Sequence, residues 1–178
     1  MSMNKKIFFG WSSDTIVITV IFSVVIIAVL VYIFKTISFK DPFGMWGGKL
    51  ITALIIIGAE IYFATMTPLF LSYNENEIRI KMVIGRKKIP YEEILNIQKI
   101  EPIVLGNSMR KIGSGGAGGY TGLFNNKTLG DYYMYVTKKQ DLVLVVTKTK
   151  KYVFNCSERD NLIAVSYTHL TLPTKLEV

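Results

Sequence analysis

Two long apolar runs lie before Tyr73, and the rest of the chain alternates between apolar and polar positions. The first run, residues 15–34 (TIVITVIFSVVIIAVLVYIF), contains twenty residues without a charge. At about 1.5 Å of rise per residue, it matches a hydrocarbon core of about 30 Å. A backbone in lipid must satisfy its own hydrogen bonds, so a transmembrane helix is predicted in spite of the many β-branched residues. A cleaved signal peptide is disfavoured, because the run is too long and no A-x-A site follows.

The second run, residues 50–71 (LITALIIIGAEIYFATMTPLFL), predicts a second transmembrane helix. Pro68 is either tolerated within that helix or marks its exit. Glu60 is unusual, because an ionised group at mid-membrane costs about 2.5–3.5 kcal/mol. Four interpretations are open: a proton or ion site, a protonated structural carboxyl, an oligomer contact, or a span shifted so that Glu60 meets water.

The distribution of positive charge predicts the orientation of the two spans. Cytoplasmic flanks carry an excess of Lys and Arg. The flanks on the side of the termini have seven such residues, Lys5, Lys6, Arg79, Lys81, Arg86, Lys87 and Lys88, whereas the connecting loop has Lys35, Lys40 and Lys49. We therefore expect a multi-pass protein of the bacterial inner (cytoplasmic) membrane, with both flanks and the following domain in the cytoplasm.

Residues 73–164 read as a mainly β domain. Residues 78–84 (IRIKMVI) alternate apolar and basic side chains, which is the period of a half-buried strand. Residues 132–137 and 142–146 are predicted to be paired strands, and residues 152–155 a last strand. Ser157, followed by acidic residues, predicts the start of a helix.

Three separated blocks of this region carry a family resemblance: IRIKMVIGRKKIPYEEILNI, RKIGSGGAGGYTGLFNNKTLGDYYMYVT and LVLVVTKTKKYVFNCSERDNLI. Together they resemble the bacterial pleckstrin-homology (PH) domain family, in the membrane-anchored type with N-terminal transmembrane helices. The resemblance implies a bent antiparallel barrel of about seven strands, closed by a C-terminal helix. The expected fold is thus two N-terminal transmembrane α-helices (residues 1–72, the membrane anchor), followed by a mainly-β PH-like barrel with a truncated C-terminal helix (residues 73–164).

The last fourteen residues are predicted to be of foreign origin. VSYTHLTLPT, which starts at Val165, resembles, residue for residue, one translation frame of the transposase adapter used in short-read sequencing libraries. We expect residues 165–178 to be a sequencing-adapter artefact and exclude them from the fold. His169, the single histidine of the chain, belongs to this stretch.

A glycine-rich stretch at residues 113–119 (GSGGAGG) satisfies the spacing G-x-G-x-x-G. A dinucleotide site is disfavoured, because no helix pattern follows to receive a pyrophosphate, and the Walker spacing is absent. We predict a long connection between strands in which several glycines need positive φ or close backbone approach. It is a candidate recognition loop, formed by Arg110, Lys111, Gly113, Gly115, Gly116, Gly118, Gly119 and Tyr120.

The sequence points to binding rather than catalysis. Outside the predicted artefact there is no histidine to act as a base, and Cys156 has no histidine partner. We expect no enzymatic activity, no cofactor and no metal site. The candidate lipid-surface contact is Arg79, Lys81, Arg86, Lys87 and Lys88, since basic residues near an anionic leaflet are each attracted by about 1 kcal/mol.

The expected partner is the lipid bilayer, with a protein partner or self-association as a further possibility. The alternative function is a protein–protein assembly or scaffold subunit of a membrane complex. Nucleic acid is not expected as a partner.

Overall fold

Two N-terminal helices, two β-sheets and a C-terminal helix make up residues 5–170, which are the part of the chain that the computed structural model describes. In chain order the elements are β1 Lys5–Phe8, α1 Ser13–Lys35, α2 Phe43–Thr65, β2 Pro68–Tyr73, β3 Glu77–Met82, β4 Arg86–Pro90, β5 Ile94–Ile100, β6 Met109–Gly116, β7 Gly119–Asn126, β8 Gly130–Val136, β9 Leu142–Thr147, β10 Lys151–Asn155 and α3 Arg159–Leu170.

Helices α1 and α2 are both long and apolar enough to cross a membrane, which confirms the two predicted candidate spans. The side chain of Ser12 caps α1 by accepting a hydrogen bond from the backbone N of Thr15 at 3.2 Å. Asp14 in the first turn and Lys35 in the last turn complement the helix dipole.

The predicted bounds of the second span, residues 50–71, are wrong at both ends. Helix α2 begins at Phe43 and ends at Thr65, and Pro68 starts strand β2. Proline disfavours the α conformation of the residue before it, which ends the helix, and Leu71 is fully buried in the β domain. The predicted domain boundary between residues 72 and 73 therefore falls inside β2.

The first sheet has four strands in the order β1-β2-β3-β4, all antiparallel. Its inner side chains alternate with outward ones, as the period of a strand requires. Inward residues of this sheet pack against the second sheet in one core, which includes Ile7, Leu71, Ile78, Ile80 and Ile89 from the first sheet and Val143, Val145, Tyr152 and Phe154 from the second. Strand β1, which sequence reasoning missed, thus joins the segment before α1 to the β domain.

The second sheet has six strands in the order β5-β9-β10-β8-β7-β6. The predicted direct pairing of residues 132–137 with 142–146 is wrong, because β10 lies between β8 and β9 and runs parallel to β8. The amide oxygen of Asn155 accepts a hydrogen bond from the backbone N of Thr137 at 2.9 Å, which secures the end of β8 beside β10. The structure divides the described β region into ten strands rather than about seven, and its two sheets and terminal helix are consistent with a PH-like fold.

The glycine-rich stretch is a β-hairpin, not the long connection that we predicted. Strands β6 and β7 pair from Met109 opposite Asn125 to Gly116 opposite Gly119, with one register shift between Arg110 and Ile112. The expected positive φ values are present at Gly113 and Gly122, which face each other. A Cβ at either position would overlap the backbone of the opposite strand. The glycines therefore allow the close approach of two paired strands.

Helix α3 confirms the predicted C-terminal helix and continues past the expected junction at Val165. The hydroxyl of Ser166 donates to the carbonyl oxygen of Leu162 at 2.7 Å, and the hydroxyl of Tyr167 donates to that of Ile97 at 3.2 Å. Residues 171–178 lie outside the described residues. The foreign origin of residues 165–178 stays a prediction.

The substitution Gly113→Ala tests the close approach of Gly113 and Gly122. The new Cβ would meet the Thr121 carbonyl oxygen at a positive φ of 118°. We expect a loss of about 1–2 kcal/mol from the backbone conformation and of a further 1–3 kcal/mol from crowding. Thermal unfolding of the full chain in detergent measures the loss. Gly130→Ala is the matched control, because its φ is 69° but open space surrounds the new Cβ. Equal losses in the two variants would contradict the close approach.

Candidate functional site

Five cations share the outer side of the first sheet. Strand registers place Lys6, Ser72, Arg79 and Lys88 in one row across the strands, and Phe8, Phe70, Lys81 and Arg86 in the next row. Neighbouring positions on the same strands are the buried isoleucines of the core, so these rows lie on the opposite side. We call this surface the basic face, defined as Lys6, Arg79, Lys81, Arg86 and Lys88.

Only one carboxylate offsets the basic face among the described residues. Glu77 pairs with the guanidinium of Arg79 and lies 3.7 Å from the ammonium nitrogen of Lys88. Lys81 and Arg86 have no ion pair within residues 5–170. The row that contains Phe8 and Phe70 therefore has two cations without an ion pair in the described part of the chain, and the two rings contact each other at 5.7 Å between centroids.

Lys87 does not join the other four predicted cations. Its position opposite Ile80 puts it on the inner side of the sheet, where its ammonium lies 5.3 Å from the centre of the Tyr152 ring. Tyr152 stacks on Tyr133 at 5.8 Å, and Lys150 lies 5.3 Å from the centre of the Tyr133 ring. Four of the five predicted cations therefore belong to the basic face, and the fifth, Lys87, lies at the edge of the core.

The turn between β3 and β4 lies against the end of α2. The backbone N of Val83 donates to the carbonyl oxygen of Thr67 at 3.0 Å, and that of Ile84 donates to Thr65 at 3.1 Å. The side chains of Val83 and Ile84 are nevertheless 46% and 67% exposed. Sequence reasoning missed this apolar turn and also Lys6 and Phe8. The signal was present for the turn, as two apolar residues directly before the basic run GRKK.

The tip of the glycine hairpin packs along α1. The backbone N of Gly118 donates to the hydroxyl oxygen of Thr19 at 2.9 Å, and a Cβ on Gly116 would come within 3.3 Å of Ile18. A Cβ on Gly118 would lie 2.6 Å from the hydroxyl oxygen of Thr67. The tip glycines therefore fit the hairpin into the junction with the helices.

The remaining side chains of the predicted recognition loop do not converge on one point. The guanidinium of Arg110 lies over Gly115, within 3.0 Å of where a Cβ would stand. Lys111 donates to both oxygens of Asp131 at 2.7 Å, and this bond holds the pKa of that carboxyl below its usual value. The Tyr120 ring lies under Lys139 at 4.1 Å. The recognition role of this loop stays a prediction.

Glu60 lies near the end of its helix rather than near the middle of the span, because α2 ends five residues later at Thr65. It lines a cavity of about 370 Å³ between the two helices and the hairpin tip, together with Trp11, Thr19, Ser23 and Thr67. Of the four interpretations left open by the sequence, this position favours the span shifted toward water. At about 1.5 Å per residue, Glu60 is roughly 7.5 Å from the helix end.

The described residues offer little for acid–base or metal chemistry. Burial raises the pKa of the Cys156 thiol to about 11, so this group is not a poised nucleophile. Within the described part of the chain, no cluster of three or more His, Cys, Asp or Glu side chains could hold a metal ion. The geometry instead offers charged and apolar surfaces for contact.

Comparison with known proteins gives one family. A family model described as "Bacterial PH domain" matches residues 70–164, which is more than half of the 178-residue chain. No curated protein and no solved structure matches the chain.

The reactivity of Cys156 checks its burial. A pKa of about 11 instead of 9.0 lowers the thiolate fraction at pH 8 about 100-fold. We therefore expect a thiol reagent to modify the folded full chain at least about 100-fold more slowly than the chain unfolded in denaturant, since only the thiolate reacts. Similar rates in the two states would show that the thiol is accessible and ionised in the native protein.

Proposed function

This chain belongs to the bacterial PH domain family, and we propose that it is a membrane-anchored PH-like binding module whose β domain lies against the anionic cytoplasmic leaflet of the inner membrane. PH domains are generally binding modules rather than catalysts, and the raised pKa of Cys156 agrees with a non-enzymatic role. The bilayer is the proposed partner, and no nucleic acid is part of the proposal.

The observation that carries this proposal is the position of the basic face relative to the helix ends. Strands β1 and β2 connect to α1 and α2 through four and two residues, respectively. The row containing Lys81 and Arg86 also contains Phe8 and Phe70, which lie at the helix ends of β1 and β2. Where the two helices cross a bilayer, this row is therefore the one nearest to the lipid headgroups.

The turn between β3 and β4 adds an apolar element to the same surface. Val83 and Ile84 are exposed and hydrogen-bonded through their backbones to the end of α2. Apolar side chains flanked by Lys81 and Arg86 match the boundary between headgroups and acyl chains. Two cations near an anionic surface are attracted by about 1 kcal/mol each, and salt screens this attraction.

A protein partner is the second candidate, supported by the free edge of β6. Among the described strands, β6 pairs only with β7, and Met109 and Ile112 on it are 76% and 64% exposed. An exposed edge with apolar side chains can pair with a strand of another chain. This would make the protein an assembly subunit of a membrane complex.

Neutralising the membrane-proximal cations tests the lipid contact. The double variant Lys81→Gln, Arg86→Gln should weaken the contact about 10- to 30-fold, as two losses of about 1 kcal/mol imply. The strength of the lipid contact is measured by hydrogen exchange at the amides of residues 82–85, with the full chain in nanodiscs with and without phosphatidylglycerol. In the unaltered protein, the anionic lipid should slow this exchange, and high salt should remove the effect.

Lys127→Gln, Lys148→Gln is the matched control, because both lysines are exposed in turns at the ends of strands away from the helices. This variant should keep the lipid-dependent protection. Protection that is independent of phosphatidylglycerol, or that is lost equally in both variants, would refute the contact.

The orientation is tested with protease. If the β domain faces the cytoplasm, protease added to intact spheroplasts should leave it whole, whereas protease added to inverted membrane vesicles should digest it. Digestion in spheroplasts would place the domain on the opposite side and contradict the charge argument.

A further inference from the structure

An apolar pocket of about 350 Å³ lies on the inner side of β6, β7 and β8. The registers place Ile112, Leu123 and Tyr133 side by side there, in one row across the three strands. Met82 and Ile84 close the pocket from the first sheet. Unlike the buried core between the sheets, it contains exposed apolar side chains. Ile84 is 67% exposed and Ile112 is 64% exposed.

One end of the pocket is formed by the end of α2. Thr65 and Met66 line it directly, and Ile84 is hydrogen-bonded through its backbone N to the carbonyl oxygen of Thr65. In the proposed orientation, this end opens at the bilayer surface. The apolar wall is therefore continuous with the region that acyl chains occupy.

One wall of the pocket is aromatic and has cations beside it. Tyr133 lines the pocket, and Lys150 lies 5.3 Å from the centre of its ring. Tyr152 stacks on Tyr133, and Lys87 lies 5.3 Å from the centre of the Tyr152 ring. Lys150 thus lies over a ring that lines the pocket, and Lys87 lies over the ring that stacks on it. Neither ammonium group has an ion pair among the described residues.

We propose that this intersheet pocket binds one membrane lipid with an anionic headgroup. The headgroup lies at Lys87 and Lys150, and one acyl chain runs along Leu123, Ile112 and Ile84 toward the bilayer. The surroundings of the pocket match such a molecule, with two ammonium groups beside the stacked rings of Tyr133 and Tyr152 and apolar side chains at the end of α2. This proposal rests on the proposed function, because the pocket meets lipid only if the domain lies against the bilayer.

Tyr135 supplies a neutral donor in the same wall. Burial raises the pKa of its hydroxyl to about 12, so the group stays protonated at physiological pH. A protonated phenol can donate a hydrogen bond to a phosphate or ester oxygen. Lys87 turns away from the basic face and lies over Tyr152. Its role in the proposed lipid contact is therefore distinct from that of the other predicted cations.

Photo-crosslinking of the full chain in nanodiscs tests the site. The probe is phosphatidylglycerol with a diazirine in one acyl chain, diluted into phosphatidylcholine, and crosslinked residues are mapped by mass spectrometry. We expect crosslinks at Ile112 or Leu123. Ile112→Trp should fill the pocket and reduce them about tenfold, equivalent to one factor of ten in affinity. The matched control Leu95→Trp changes an exposed residue of β5 outside the pocket and should leave them unchanged.

A separate double variant tests the headgroup assignment. Lys87→Gln, Lys150→Gln should remove the preference for the phosphatidylglycerol probe over a phosphatidylcholine probe with the same diazirine chain. Should Ile112→Trp fail to fold, as judged by thermal unfolding, Leu123→Trp serves as the second filling variant. An unchanged headgroup preference in the double lysine variant would overturn the headgroup assignment.

Crosslinks at Val83 separate failure of this proposal from failure of the proposed function. Val83 belongs to the turn that meets the bilayer surface and does not line the pocket. Crosslinks at Val83 without any at Ile112 or Leu123 would overturn the lipid site and leave the bilayer contact standing. Loss of crosslinks at all three positions would overturn both. Pocket crosslinks that persist in both filling variants would also overturn the site.

Discussion

The pairing of β1 with β2 is the interaction on which the arrangement of this protein depends. These strands lie immediately beside the two apolar helices in sequence, and their pairing puts Phe8 opposite Phe70. Paired strands are about 4.8 Å apart, so the ends of α1 and α2 must emerge from the β domain side by side. Hydrogen bonds add to the junction. The hydroxyl of Thr15 donates to the carbonyl oxygen of Thr137 at 2.9 Å, and the hydroxyl of Thr137 donates to that of Gly10 at 2.8 Å.

This junction gives the whole β domain a near end and a far end. Strands that start or finish at the helices bring Arg86, Val83 and the glycine hairpin tip to the near end, whereas the turns at Lys127 and Lys148 lie at the far end. Charge and apolar surface are thus ordered along one axis. A domain tethered by a single flexible linker would have no such order, because it could rotate freely with respect to the helices.

Much of the fold follows from local pattern. The apolar run before Lys35 predicts α1 closely, and the alternation of residues 78–84 predicts β3, because period and length are properties of neighbouring residues. Local pattern places the end of α2 too late, since residues 66–71 are as apolar as a span and only Pro68 signals the change to a strand. Local pattern predicts a loop at the glycine hairpin, because glycine is unfavourable in isolated strands. Its pairing depends on the partner strand, where Gly122 makes room for Gly113.

The sequence by itself determined that the chain has two helices able to cross a membrane, followed by a mainly β domain with basic residues near its start. These properties depend on composition and on periodicity over a few residues, whereas the PH type follows from the resemblance of three sequence blocks to that family. Only the tertiary structure decided which cations share a face, that Lys87 turns to the opposite side, and that Glu60 lies near a helix end. It alone also placed an apolar pocket beside two lysines, because strand register and sheet order bring together residues that are far apart in the chain.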